Sequence, residues 1–161
     1  MTDLCGAFET AGCTNVRSYL QSGNVIFDAP DEHTPRRVVE AVESLIGGPA
    51  TIIFRSLADL EAIIAANRLR EYLDDRALKL YVVFLASPPG RELRLPVVDE
   101  KDRLELVAVN GREAYLVSHR KPSGMYGFPT VFLERELGVS TTARNWNTVT
   151  RLLAFAKRDA G

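Results

Sequence analysis

Arg144, Asn147, Thr148 and Arg151 are spaced so that a helix starting near Thr142 places them on one face, with Trp146, Val149, Leu153 and Ala156 on a buried stripe. Two guanidiniums on such a face can grip a carboxylate or phosphate bidentately. Asn147 and Thr148 add hydrogen bonds, and the helix N-terminus favours an anion further. Asn145, inside the same segment, joins this set. A plainer reading makes Thr141 or Thr142 a helix cap, Trp146 a core anchor and the arginines a solvated face. A second polar cluster, Gln21-Ser22-Gly23-Asn24, offers the side chains of Gln21, Ser22 and Asn24 together with turn amides, a concave arrangement that suits anions. Ser, Gly and Asn are equally the default residues of a hairpin turn. The two clusters together predict a site for a small anionic ligand, a nucleotide or phosphorylated metabolite, between the 21–24 turn and the 144–151 helix. The alternative is that both segments are purely structural.

No catalytic constellation emerges, so activity as an enzyme is left open and no cofactor is assigned. Ser22 has no histidine placed near it by sequence and no Gly-x-Ser-x-Gly elbow around it. Cys5, Cys13, His33 and His119 match no zinc spacing, and there is neither a Gly-x-Gly-x-x-Gly nor a P-loop, so no metal ligand is assigned. Asp99-Glu100-Lys101-Asp102 reads as a solvated loop. Leu133 to Leu153 imitates a helix-turn-helix around Leu137-Gly138-Val139-Ser140, which makes nucleic acid a second candidate partner.

These clusters sit in a chain of 161 residues, 46% hydrophobic and 25% charged, an ordinary globular composition that excludes collagen-like, disordered and disulfide-scaffold classes. Net charge is -1, so no overall field draws the chain to a polyanion. The distribution is uneven: residues 1–111 carry 12 basic and 17 acidic groups, residues 112–161 carry 8 and 4. An anionic partner is therefore expected toward the C-terminal end. The most apolar stretch, Leu80 to Ala86, is far below the roughly 20 residues that span a bilayer, so no membrane association is expected. Two cysteines are too few to staple the fold and suggest the reducing cytoplasm.

Periodicity predicts an α+β protein. Leu4, Ala7, Phe8 and Ala11 recur at helical spacing before Gly12. Val16 to Leu20 and Asn24 to Asp28 form a hairpin, and Thr34-Pro35 caps a helix that Gly47-Gly48 stops. Thr51 to Arg55 follows as a strand, and Ser56 caps a linking helix. Leu78 to Ala86 reads as a central strand, 91–102 as a loop, and Leu104 to Val109 with Arg112 to Ser118 as a hairpin about Asn110-Gly111. Helices at 131–137 and about 144–157 close the chain. The expected organisation is an N-terminal part, 1–75, and a C-terminal part, 76–161.

Val16-Arg17-Ser18-Tyr19-Leu20-Gln21-Ser22-Gly23-Asn24-Val25-Ile26-Phe27 and Thr142-Ala143-Arg144-Asn145-Trp146-Asn147-Thr148-Val149-Thr150-Arg151-Leu152 resemble the two signature stretches of a bacterial family known as domain of unknown function 1697. The resemblance extends to the Leu80–Leu85 strand, the hairpin with Tyr115, and Leu133 to Val139. It implies a pair of α/β plaits of ferredoxin-like type and no particular activity. Two departures stand out: Ala143 replaces a usual second threonine, and the first plait lacks the apolar strand with which members usually begin. Strand order 4-1-3-2 would put that strand in the centre, leaving Asn24–Asp28 and Thr51–Arg55 with unpaired edges. The start codon was then assigned too far downstream, or another strand fills the gap. The expectation is that a strand from elsewhere in the chain, or from a second subunit in a homodimer, occupies it, or that the two edges collapse together.

Overall fold

The computed structural model describes residues 2–19 and 23–159. The protein is α+β, and its contacts divide it into two compact units, residues 1–54 with 154–161 and residues 55–153. Among the described residues no helix is long and apolar enough to cross a membrane.

In the first unit, helix α1 (Thr2–Thr10) ends where Gly12 takes φ 96°, a left-handed turn open to glycine. It buries Ala7, Phe8 and Ala11 against Val38 and Val42 of α2 (Thr34–Ile46). Strands β1 (Thr14–Tyr19) and β2 (Asn24–Asp28) form the expected hairpin, from Thr14 opposite Asp28 to Tyr19 opposite Asn24. A register irregularity between Thr14 and Arg17 accommodates Asn15, whose amide donates to Asp28 Oδ2 at 2.6 Å. The α2 cap differs from expectation. Thr34 is the first helical residue, fully buried, and its hydroxyl accepts from Asp31 N at 3.3 Å rather than capping the helix. Gly47 stops α2 in the left-handed conformation as its type requires.

The strand expected at Thr51–Arg55 does not form. A strand exists only where a neighbour takes its amides and carbonyls. No described strand lies beside this segment, so among the described residues the first sheet has only β1 and β2. The segment contributes side chains instead: Ile52 and Phe54 pack on the apolar cluster, and the Phe27 and Phe54 rings meet edge-on at 6.2 Å.

The second unit is built on a five-stranded antiparallel sheet in the order β4-β5-β6-β3-β7. Strand β3 (Lys79–Leu85) is buried from Leu80 onward, which is why its sequence is a near-continuous apolar run. Strands β5 (Leu104–Asn110) and β6 (Glu113–Ser118) turn through Gly111-Arg112, with Gly111 at φ 62° as the first central residue of a two-residue hairpin. The turn is thus centred one residue later than Asn110-Gly111. The 91–102 loop contains a short strand, β4 (Val97–Asp99), that pairs with β5. One sheet face carries Tyr81, Val83, Leu85, Leu104, Leu106, Leu116 and Ala143, packed with Phe132, Leu133 and Leu137 of α4 (Thr130–Leu137).

The largest correction concerns 141–145. The expected helix start near Thr142 is instead strand β7 (Thr141–Asn145), and α5 runs from Trp146 to Asp159. Arg144 therefore belongs to a strand, opposite Val82 of β3, and the expected helical face of Arg144 with Asn147, Thr148 and Arg151 does not form. The physical cause is the free side of β3, a buried central strand that needs a second neighbour for its backbone groups; residues 141–145 supply it. A strand between α4 and α5 also removes the helix-turn-helix. Without β4, the strands run in the order β7-β3-β6-β5, and the chain between β3 and β5 holds loop and β4 rather than a helix.

Candidate functional site

Helix α3 (Leu57–Ala66) begins at a reciprocal cap: Ser56 Oγ accepts from Asp59 N at 3.0 Å, and Asp59 Oδ2 accepts from Ser56 N at 2.9 Å. That backbone bond from Ser56 is the main reason the Asp59 carboxyl is held below the usual carboxylate range. The helix ends at Asn67, in the left-handed region at φ 45°, ψ 56°, a conformation asparagine tolerates better than most residues. Leu69, 0% exposed, pins the chain into the unit, and a 3-10 turn over Arg70–Tyr72 follows. Arg68 and Arg70, one residue either side of that anchor, are exposed.

These residues wall a recess of about 280 Å3. Ala66, Asn67, Arg68, Arg70, Glu71 and Tyr72 line it from one side, and Val107 with Ala108 from β5. The β5 wall is irregular because the β5–β6 register shifts between Leu106 and Ala108, leaving Val107 as an extra residue. Among the described residues neither Arg68 nor Arg70 makes a side-chain ion pair. The Asn67 Oδ1 atom is buried and has no hydrogen-bond partner among the described residues. Burial pushes the Tyr72 phenol up, with further contributions from Glu105 and Glu71. Glu105 itself meets His119 Nε2 at 3.0 Å. Tyr115, in register with Ala108, is wholly buried, and its hydroxyl likewise has no partner among the described residues. The recess thus offers two guanidiniums, one carboxylate and an aromatic wall. Among the described residues no three His, Cys, Asp or Glu side chains gather as a metal site.

The sequence-predicted site residues are placed otherwise. Gln21 and Ser22 lie outside the described residues. Asn24 belongs to the first unit, where its side-chain amide donates to Tyr19 O at 3.1 Å and closes the hairpin. Arg144, Asn145, Asn147, Thr148 and Arg151 belong to the second unit, on β7 and the first turns of α5. Arg144 Nη1 donates to Thr142 Oγ1 at 2.7 Å and Ala143 O at 2.8 Å, and burial lowers its pKa. Asn145 Oδ1 accepts from Asn147 N at 3.0 Å, so Asn145 rather than a threonine satisfies the α5 N-terminus. Asn147 and Arg151 are exposed and Thr148 half-buried on α5, while Trp146, Val149, Leu153 and Ala156 are buried as their spacing requires. The recess left a fainter trace, Asn67-Arg68-Leu69-Arg70, a helix-stopping asparagine before alternating arginines about an apolar residue.

The sequence profile of a family described as "Protein of unknown function (DUF1697)" matches residues 1–115. The chain belongs to that family. The DUF1697 match takes in the Val16–Phe27 segment and every residue that lines the recess, and it stops in β6, before Thr142–Leu152. No curated protein and no solved structure matches the chain.

Proposed function

We propose that this DUF1697 member is a binding module for a small anionic ligand, and that the recess at the end of α3 is its site. One observation carries the reading: Arg68 and Arg70 flank a buried anchor, line the same recess and, among the described residues, pair with no carboxylate. Several other arginines are tied into the fold by hydrogen bonds, among them Arg37, Arg55, Arg91, Arg103 and Arg144. A guanidinium that no carboxylate of the described residues engages presents its donors to an incoming carboxylate or phosphate. At about 280 Å3 the volume falls just below the roughly 300–1,000 Å3 of ligand pockets, which favours a compact metabolite over a nucleotide. Isothermal titration with inorganic phosphate and with small dicarboxylates checks it. Arg68→Ala with Arg70→Ala should weaken binding at least about tenfold for each charge-assisted hydrogen bond removed, with melting temperature unchanged. Equal affinity in the double variant would refute the site.

For Thr142–Leu152 the hydrogen bonds favour a structural role. Asn145 caps α5, Arg144 braces the β7 backbone, and Trp146 is 8% exposed. Asn145→Ala should cost about 0.5–2 kcal/mol in urea denaturation and leave ligand affinity as it was. A change of affinity at constant stability would return this segment to the binding site.

A further inference from the structure

The loop from β6 to α4, residues 119–129, is braced along its length. The buried Ser118 Oγ donates to Gly127 O at 2.9 Å, the Tyr126 hydroxyl to Ala77 O at 2.6 Å, Arg103 Nη1 to Arg120 O at 2.7 Å and Lys121 N to Met125 O at 2.9 Å. Gly127 passes so close to Asp102 that a β-carbon there would lie 2.6 Å from its carbonyl oxygen. A loop fixed in this way could turn its apolar groups inward, and this one does the reverse. Met125 is 67% exposed, Phe128 59% and Val131, in the first turn of α4, 75%. Three of the nine exposed large apolar side chains among the described residues thus fall within seven positions. Exposed apolar residues scattered singly need no explanation, whereas a concentration of them on a braced loop marks a contact surface.

The chain around these groups carries charge of one sign. Of Asp, Glu, Lys and Arg, residues 114–133 contain only Arg120 and Lys121. Lys121 is engaged by Asp102 at 2.8 Å, and Glu134, the next carboxylate along the chain, accepts from Thr141 N at 3.1 Å. Arg120 and Lys79 make no ion pair among the described residues. Both are held beside the exposed apolar groups: Arg120 Nη2 lies 3.3 Å from where a β-carbon on Gly124 would stand, and Lys79 Nζ is 4.6 Å from the centre of the Tyr126 ring. We propose that this loop docks an acidic amphipathic segment of a partner protein, its apolar side chains on Met125, Phe128 and Val131 and its carboxylates on Arg120 and Lys79. Two of the three exposed anchors are aliphatic and only Phe128 is a ring, which suits peptide side chains better than nucleobases, because bases need aromatic faces to stack on. None of these residues lines the recess, so the docking surface stands or falls apart from the ligand site.

Fluorescence anisotropy of the full chain with three labelled probes tests this. The first is a peptide of about 14 residues, roughly four helical turns, with leucine and glutamate at amphipathic spacing. The second replaces glutamate by lysine, and the third is an oligouridylate of similar length. The glutamate peptide should bind at least about tenfold tighter than either of the others. Phe128→Ser and Val131→Ser should each weaken it about tenfold, and Arg120→Glu should move the preference toward the lysine peptide. Phe128 meets the Tyr81 ring at 5.7 Å, so a melting curve accompanies each variant; Val131→Ser, altering the most exposed of the three, keeps the parent melting temperature and carries the test if Phe128→Ser does not. A lysine peptide that binds as tightly as the glutamate peptide, or a Val131→Ser variant with full affinity, overturns the proposal. Tighter binding of oligouridylate overturns it in favour of nucleic acid, and the absence of binding by all three probes overturns it outright.

Discussion

Leu69→Ala should destabilise the protein by about 2–5 kcal/mol and weaken ligand binding in the same variant. Leu69 is 0% exposed and stands between the two arginines of the recess. Truncation removes buried methyl groups and leaves a cavity that a packed unit refills only in part. The local consequence matters more for function. The chain from Asn67 to Tyr72 is held by short-range bonds, Arg70 N to Asn67 O at 3.2 Å and Tyr72 N to Leu69 O at 2.9 Å, and by the Leu69 side chain. With the anchor gone, Arg68 and Arg70 lose the fixed separation that lets two guanidiniums act on one ligand. Urea denaturation and titration on the same preparation test both statements. Unchanged stability would show that the site has another anchor. Lowered stability with full affinity would show that the arginines are positioned by something other than Leu69.

The second large effect lies at one end of the central strands β3 and β6. Arg55 is only 7% exposed; its Nη2 donates to Arg112 O at 2.7 Å and Leu85 O at 3.1 Å and lies 3.5 Å from Glu113 Oε2, itself 16% exposed. Burial pulls the Arg55 pKa down, and Glu113 opposes that shift. Glu113→Ala removes the larger of two compensating charges, the other being Asp59, from a guanidinium that stays ionised, at a cost of about 3–5 kcal/mol. Adding Arg55→Met should recover much of that loss, because the buried charge goes with its partner. Urea midpoints of the single and double variants check this, and a Glu113→Ala loss under about 1 kcal/mol would mean that solvent already screens the pair.

How much of this the sequence carries depends on whether a residue's role is local. The hairpins, the stop at Gly47 and the buried stripe of Trp146, Val149, Leu153 and Ala156 follow from periodicity and turn chemistry within a few residues. Residues 141–145 and 51–55 do not. Thr141-Thr142 before a helix looks like a cap, and only the unfilled side of β3 makes it a strand; Thr51–Arg55 looks like a strand, and no strand among the described residues pairs with it. Both depend on partners remote in sequence. The same holds for the sites. Arg144 and Asn145 carry the motif, yet Arg144 donates to Thr142 Oγ1 and Ala143 O and Asn145 accepts from Asn147 N, all within their own segment, whereas Arg68 and Arg70 carry no motif and share a recess with β5 only through the fold.

Binding at the recess is the central claim, and a two-dimensional amide NMR titration of the full chain with inorganic phosphate and with a small dicarboxylate tests it most directly. Saturable shifts should concentrate on residues 66–72 and 107–108 and disappear in the Arg68→Ala, Arg70→Ala variant. Shifts confined to β7 and the first turns of α5, or none at saturating ligand, would contradict it.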